Sequence, residues 1–78
     1  MDDIEQKVAL CFSNVFPDVP KVELPGASRD SLVGWDSIAH VTLLSSIAEE
    51  FGIDLEPEDF ESLDSYSSIV DWVEAKRG

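Results

Sequence analysis

Apolar residues recur with a helical period in three stretches of this chain, and no stretch alternates with the two-residue period of a strand. That confines the fold to packed helices. In the first stretch Ile4, Val8, Phe12 and Val15 form the stripe, and Cys11 and Phe16 widen it. Asp2, Asp3 and Glu5 fall in its opening turn, where carboxylates meet the positive end of the helix dipole, and Pro17 ends it. In the second stretch Ile38, Val41, Leu44, Ile47, Ala48 and Phe51 recur until Gly52, a suitable terminal glycine, with Asp36 as the natural N-cap. In the last, Tyr66, Ile69, Val70 and Val73 follow Ser65 as a cap, and Lys76 and Arg77 complement the negative end of the dipole. Pro57 suits a first helical position, so one short helix is predicted over 57–62.

The connection from Asp18 to Asp36 holds Pro20, Pro25, Gly26 and Gly34. A loop of that length is unusual in a small domain. Its apolar residues Val22, Leu24, Leu32 and Val33 predict that it packs across the helices. The expected fold is all-α: a small four-helix bundle of three main helices and one short one, with a long loop between the first and second helices. Residues 1–78 are expected to form a single domain.

Size and charge narrow the function classes. A chain of 78 residues buries a thin core and seldom walls off a deep active site as well. One cysteine gives no internal disulfide. Five Lys and Arg against 17 Asp and Glu leave a net charge of −12, which repels nucleic acid and anionic membranes. The hydrophobic fraction of 44% is ordinary, so this acidity does not imply disorder. No apolar run reaches the length of a membrane span, and Met-Asp-Asp-Ile-Glu lacks the regions of a secretory signal. The expectation is a cytoplasmic domain, monomeric because like charges oppose self-association, that works by being bound. From Asp30 to Ala75 there is no Lys or Arg against twelve acids, which reads either as simple solubility or as a docking face for a basic partner, and composition alone does not choose between them.

Catalytic and metal sites find little support. His40 follows Ser37 by three residues, on neighbouring helix surface, but no third group is placed to orient its ring. It reads as an exposed helical histidine. Cys11 and His40 cannot complete a four-ligand zinc site, and Cys11 reads as a small core residue. A calcium loop starting at Asp54 would need Gly at its sixth position and Glu at its twelfth, where Asp59 and Ser65 stand. No catalytic and no metal-ligating residue is expected.

The informative segment is Gly34-Trp35-Asp36-Ser37-Ile38-Ala39-His40-Val41. It sets a serine hydroxyl at the start of a helix, where free N–H groups and a partial positive charge would suit a phosphodiester. A plainer reading is that Asp36 or Ser37 only caps the helix. The wider pattern favours the first. An Asp-Ser-Ile start to an amphipathic helix, running to Glu49-Glu50-Phe51-Gly52-Ile53, resembles the acyl carrier protein family. The acidic, proline-started short helix, Leu63-Asp64-Ser65-Tyr66 and the closing Ile69-Val70-Asp71-Trp72-Val73 extend the resemblance to essentially the whole chain. Asp30-Ser31-Leu32 matches the tripeptide better, yet Ser37 lies 14 residues before Phe51, as in familiar members, whereas Ser31 lies 20 before it.

The resemblance implies a 4′-phosphopantetheine arm, esterified to Ser37 by a separate phosphopantetheinyl transferase that uses Mg²⁺ and coenzyme A. Its terminal thiol would hold an acyl group as a thioester for partner enzymes of fatty acid, polyketide or related biosynthesis. Asp36 would support the attachment, and Ile38 would supply an apolar contact beside it. Glu49, Glu50, Glu56, Glu58, Asp59 and Glu61 would meet basic docking patches on acyl-loading and acyl-processing enzymes. The sequence departs from fatty-acid carriers at Ala39 and Thr42, where these usually hold acids, and Trp35 looks more like discrete carriers of specialised pathways. A peptidyl or aminoacyl carrier usually has a second glycine before its serine, which Gly34-Trp35-Asp36-Ser37 lacks. An acidic helical adaptor without a prosthetic group is the remaining alternative.

Overall fold

The computed structural model describes residues 3–77, so the opening-turn role expected of Asp2 lies outside the described residues. Helix α1 spans Asp3–Val15, α2 Ser37–Phe51, α3 Asp59–Ser62 and α4 Tyr66–Arg77. The all-α expectation holds, with one addition: the long connection contains a 3₁₀ helix, Lys21–Gly26. Pro20 enters it with φ −63°, and Glu23 N–H to Pro20 O (3.0 Å) and Ala27 N–H to Leu24 O (2.9 Å) close its turns. Leu24 is thereby driven into the core. Val22 and Val33, expected to pack across the helices, are fully solvent-facing instead, so Leu24 and half-buried Leu32 alone anchor this segment from that set.

Phe12 lies at the centre of the packing. Its ring meets Trp35 edge-on at 5.4 Å and Tyr66 at 5.1 Å, joining α1, the connection and α4. Around it Val8, Leu43, Leu44, Ile47, Ile69 and Val73 are fully buried. The connection is also tied to the start of α4 by Arg29 N–H to Asp64 O (2.9 Å) and Tyr66 N–H to Ala27 O (3.0 Å). Those bonds form an isolated bridge, not a strand.

The stripe of α2 differs from its expected phase. Ile38 is 79% and Val41 51% exposed, while His40 is only 3% exposed and Leu43 is fully buried. Position 40 stands four before Leu44, seven before Ile47 and eleven before Phe51, so it lies on the inward face at helical spacing. The expectation that His40 is exposed is therefore corrected. Gly52 ends α2 in the left-handed region (φ 66°, ψ 37°), and Ile53 N–H bonds Ala48 O at 2.9 Å, as a Schellman ending requires.

The short helix begins two residues later than predicted. Pro57 sits in the preceding turn, and the Asp59 carboxylate accepts from Glu56 N–H at 2.9 Å, which fixes the entry to α3. Ser65 caps α4 as expected, through a reciprocal pair with Ser68: each hydroxyl accepts the other's N–H, at 3.1 and 3.2 Å. Among the described residues no helix is long and apolar enough to cross a membrane.

Candidate functional site: the start of helix α2

Ser37 is the first residue of α2 and is exposed. The preceding Asp36 supplies the cap. Its backbone is extended (φ −91°, ψ −174°), its carboxylate accepts Ala39 N–H at 2.9 Å, and its carbonyl accepts His40 N–H at 2.8 Å. The cap thus falls to Asp36, and the Ser37 hydroxyl is not spent on it. The N–H groups of Ser37 and Ile38 have no acceptor within the helix, as at any helix start. An exposed hydroxyl beside two such donors, at the positive end of a 15-residue helix, fits a phosphodiester at this position.

The other candidate serine is placed differently. Ser31 lies in a turn and forms a reciprocal pair with Ser28: its hydroxyl accepts Ser28 N–H at 3.0 Å and contacts Ser28 Oγ at 3.2 Å. The Ser28 hydroxyl accepts Ser31 N–H in return, at 3.3 Å. This hydroxyl is occupied in holding its own turn.

Immediately before the site, Trp35 is buried and stacks into the Phe12 and Phe16 cluster. Its Nε1–H donates to His40 Nδ1 at 2.9 Å, and on the far side of that ring Nε2 meets Phe60 O at 2.6 Å. Sequence reasoning missed this arrangement. The signal was available in the spacing of position 40 from Leu44, Ile47 and Phe51, obscured by the apolar side chains of Ile38 and Val41. Those two instead lie exposed next to Ser37.

The acidic candidates divide into two groups. Glu49 and Glu50 are exposed at the far end of α2, about 18 Å along the helix from Ser37 at 1.5 Å per residue. They face α1, lining a surface pocket of about 360 Å³ with Cys11, Asn14 and Ser46. Burial, helped by the charge of Glu50, pushes the Cys11 thiol up from its usual range. Glu61 lies at the serine end, because the Phe60–His40 contact brings α3 beside the first turn of α2. It lines a polar cavity of about 330 Å³ with Ser28, Arg29, Asp30, Trp35 and Asp64. Glu56 and Glu58 are exposed on the approach to α3, whereas Asp59 is half-buried and its carboxylate accepts Glu56 N–H. A hydrogen bond shared with Glu56, and then the charge of that neighbour, hold Glu58 above the usual carboxylate range. Among the described residues no group of three or more His, Cys, Asp or Glu could hold a metal ion.

A family model described as the phosphopantetheine attachment site matches residues 18–73, well over half of the chain. The match runs from the entry of the long connection to the last buried turn of α4 and contains both Ser31 and Ser37. Members of this family are carriers with a covalently attached 4′-phosphopantetheine group, placed by phosphopantetheinyl transferases, and they interact with biosynthetic enzymes. An exposed serine at a helix start with donors for a phosphodiester, within a matched stretch of this extent, leads to one conclusion: this chain belongs to the phosphopantetheine attachment site family, the carrier proteins.

Proposed function

We propose that residues 1–78 form one acyl carrier domain whose 4′-phosphopantetheine is esterified to Ser37, and that it has no catalytic activity of its own. The observation that carries the reading is the free, exposed Ser37 hydroxyl at the first position of α2, beside an aspartate that already caps the helix. Ser31 is the weaker choice, since its hydroxyl is held by Ser28. When bound, the arm supplies a terminal thiol that carries an acyl group as a thioester. The chain's own residues present and orient it: Asp36 fixes the turn, the helix start favours the phosphodiester, and Ile38 offers an apolar contact to a docking enzyme.

Partners are enzymes with basic patches, among them the transferase and the acyl-loading and acyl-processing enzymes of one pathway. Glu61 lies at the serine end, Glu56 and Glu58 are exposed on the approach to α3, and Glu49 and Glu50 extend the acidic surface toward α1. Half-buried Ala39 and exposed Thr42 leave the opening turns of α2 neutral, which favours a dedicated biosynthetic pathway over general fatty-acid enzymes. Trp35 in place of a second glycine favours acyl over peptidyl cargo. Incubation with coenzyme A, Mg²⁺ and a broad-specificity transferase is expected to give one phosphopantetheine adduct by intact mass, absent in Ser37→Ala. A chain that stays unmodified while a control carrier is loaded would support the adaptor alternative.

A further inference from the structure

We propose that His40 is a positioning residue for the modification of Ser37, its ring holding the serine turn in register with α3. The proposal rests on Ser37 as the attachment site. An indole N–H can only donate, so His40 Nδ1 must accept from Trp35. A carbonyl oxygen can only accept, so Nε2 must carry the proton and donate to Phe60. One neutral tautomer satisfies both partners, and the ring is buried between them. Leucine at this inward position would serve the core as well. Holding both the indole and the carbonyl takes an acceptor and a donor on opposite sides of one side chain, which the imidazole has and leucine lacks.

What the ring joins is the serine turn and the acidic segment. Trp35 lies two residues before Ser37 and is fixed in the Phe12 and Phe16 cluster. The bond from His40 N–H to Asp36 O closes the same turn through the main chain. Residues 35–40 are therefore closed on themselves twice, with Ser37 inside the closure. On the other side, α3 has four residues, too few to hold itself by helix formation alone. The Nε2–Phe60 bond tethers it next to Glu61. An enzyme that reads the α3 acids and Ser37 together thus meets them at a fixed separation.

In the modification, the Ser37 oxygen bonds to the pantetheine-side phosphorus of coenzyme A and the pyrophosphate P–O bond breaks. Adenosine 3′,5′-bisphosphate leaves with the electron pair, and the hydroxyl proton passes to a base of the transferase. Placing that oxygen affects turnover more than docking, because small displacements of a reacting atom lower the rate steeply.

The test is transferase kinetics with coenzyme A and Mg²⁺ on the full chain, comparing wild type, His40→Leu, Trp35→Phe and the double variant. Each is first shown to be helical by circular dichroism. A kcat lowered about tenfold with KM within about twofold is expected for each single variant. The double variant should fall no further than either single one, since both break the same link. If His40→Leu does not fold, Trp35→Phe decides, because it removes the N–H and keeps a ring in the cluster. Nitrogen NMR should find the His40 proton on Nε2. Folded variants with wild-type kcat, a KM rise at unchanged kcat, or a proton on Nδ1 would overturn the proposal. A wild-type chain that takes no adduct at Ser37 would instead overturn the assignment on which it rests.

Discussion

Asp36 does all of the capping at the start of α2, and Ser37 does none of it. Asp36 takes the capping bonds through both its carboxylate and its carbonyl, which leaves the next hydroxyl available. Removing the cap while keeping the serine separates the two roles. Asp36→Ala should lose about 1 kcal/mol of stability, the usual cost of a lost aspartate cap, read by urea unfolding. Glu58 gives a second test at this scale. Its carboxyl is raised by the hydrogen bond shared with Glu56, so the folded chain holds that proton more tightly than the unfolded chain. The resulting stability is present below the unfolded value and is lost as pH rises through the folded one. Thermal melts at neutral and mildly acidic pH should therefore show a smaller gain on acidification in Glu58→Gln than in wild type.

At the scale of elements, the terminus of α2 and the short α3 matter most. Gly52 sits at φ 66°, where a side chain is strained whatever space surrounds it. Gly52→Ala is expected to cost about 1 kcal/mol or more in denaturant unfolding, with helical content unchanged. Helix boundaries set by caps were legible: Asp36, Gly52 and Ser65 each stand where the sequence placed them. The interior of α2 was less so. Ile38 and Val41 look like stripe residues by side chain but fall out of phase with Leu44, Ile47 and Phe51, and a histidine fills the inward position. Hydropathy reports the cost of burial, and it cannot reveal that Trp35 and Phe60 satisfy both ring nitrogens from elsewhere in the chain. The 3₁₀ helix was hidden for a similar reason. Its six residues contain a proline and too few apolar positions to show a period, and it is held by packing of Leu24.

Across the whole molecule, the principal extents are 29 × 28 × 17 Å, and the least of these is under two helix diameters. A body so thin buries one layer of side chains and leaves most charges near the surface. A net charge of −12 on that surface repels itself and attracts basic partners, and salt acts on the two effects with opposite sign. Raising ionic strength should increase the melting temperature of the isolated chain while lowering transferase kcat/KM on the order of tenfold. Parallel melts and initial-rate assays over the same salt series check both directions.

The family and the helical fold were legible because landmarks spread along the chain agree: the serine helix, its terminal glycine and the closing stripe. Spacing to Phe51 already favoured Ser37 over Ser31, and what no sequence displays is that the Ser31 hydroxyl is held by Ser28 while Ser37 stands exposed. That choice is tested most directly by peptide-level mass spectrometry of the transferase-treated chain. The phosphopantetheine adduct is expected on the peptide carrying Ser37, at full occupancy in Ser31→Ala and absent in Ser37→Ala. An adduct on Ser31, or one that persists in Ser37→Ala, would contradict the account.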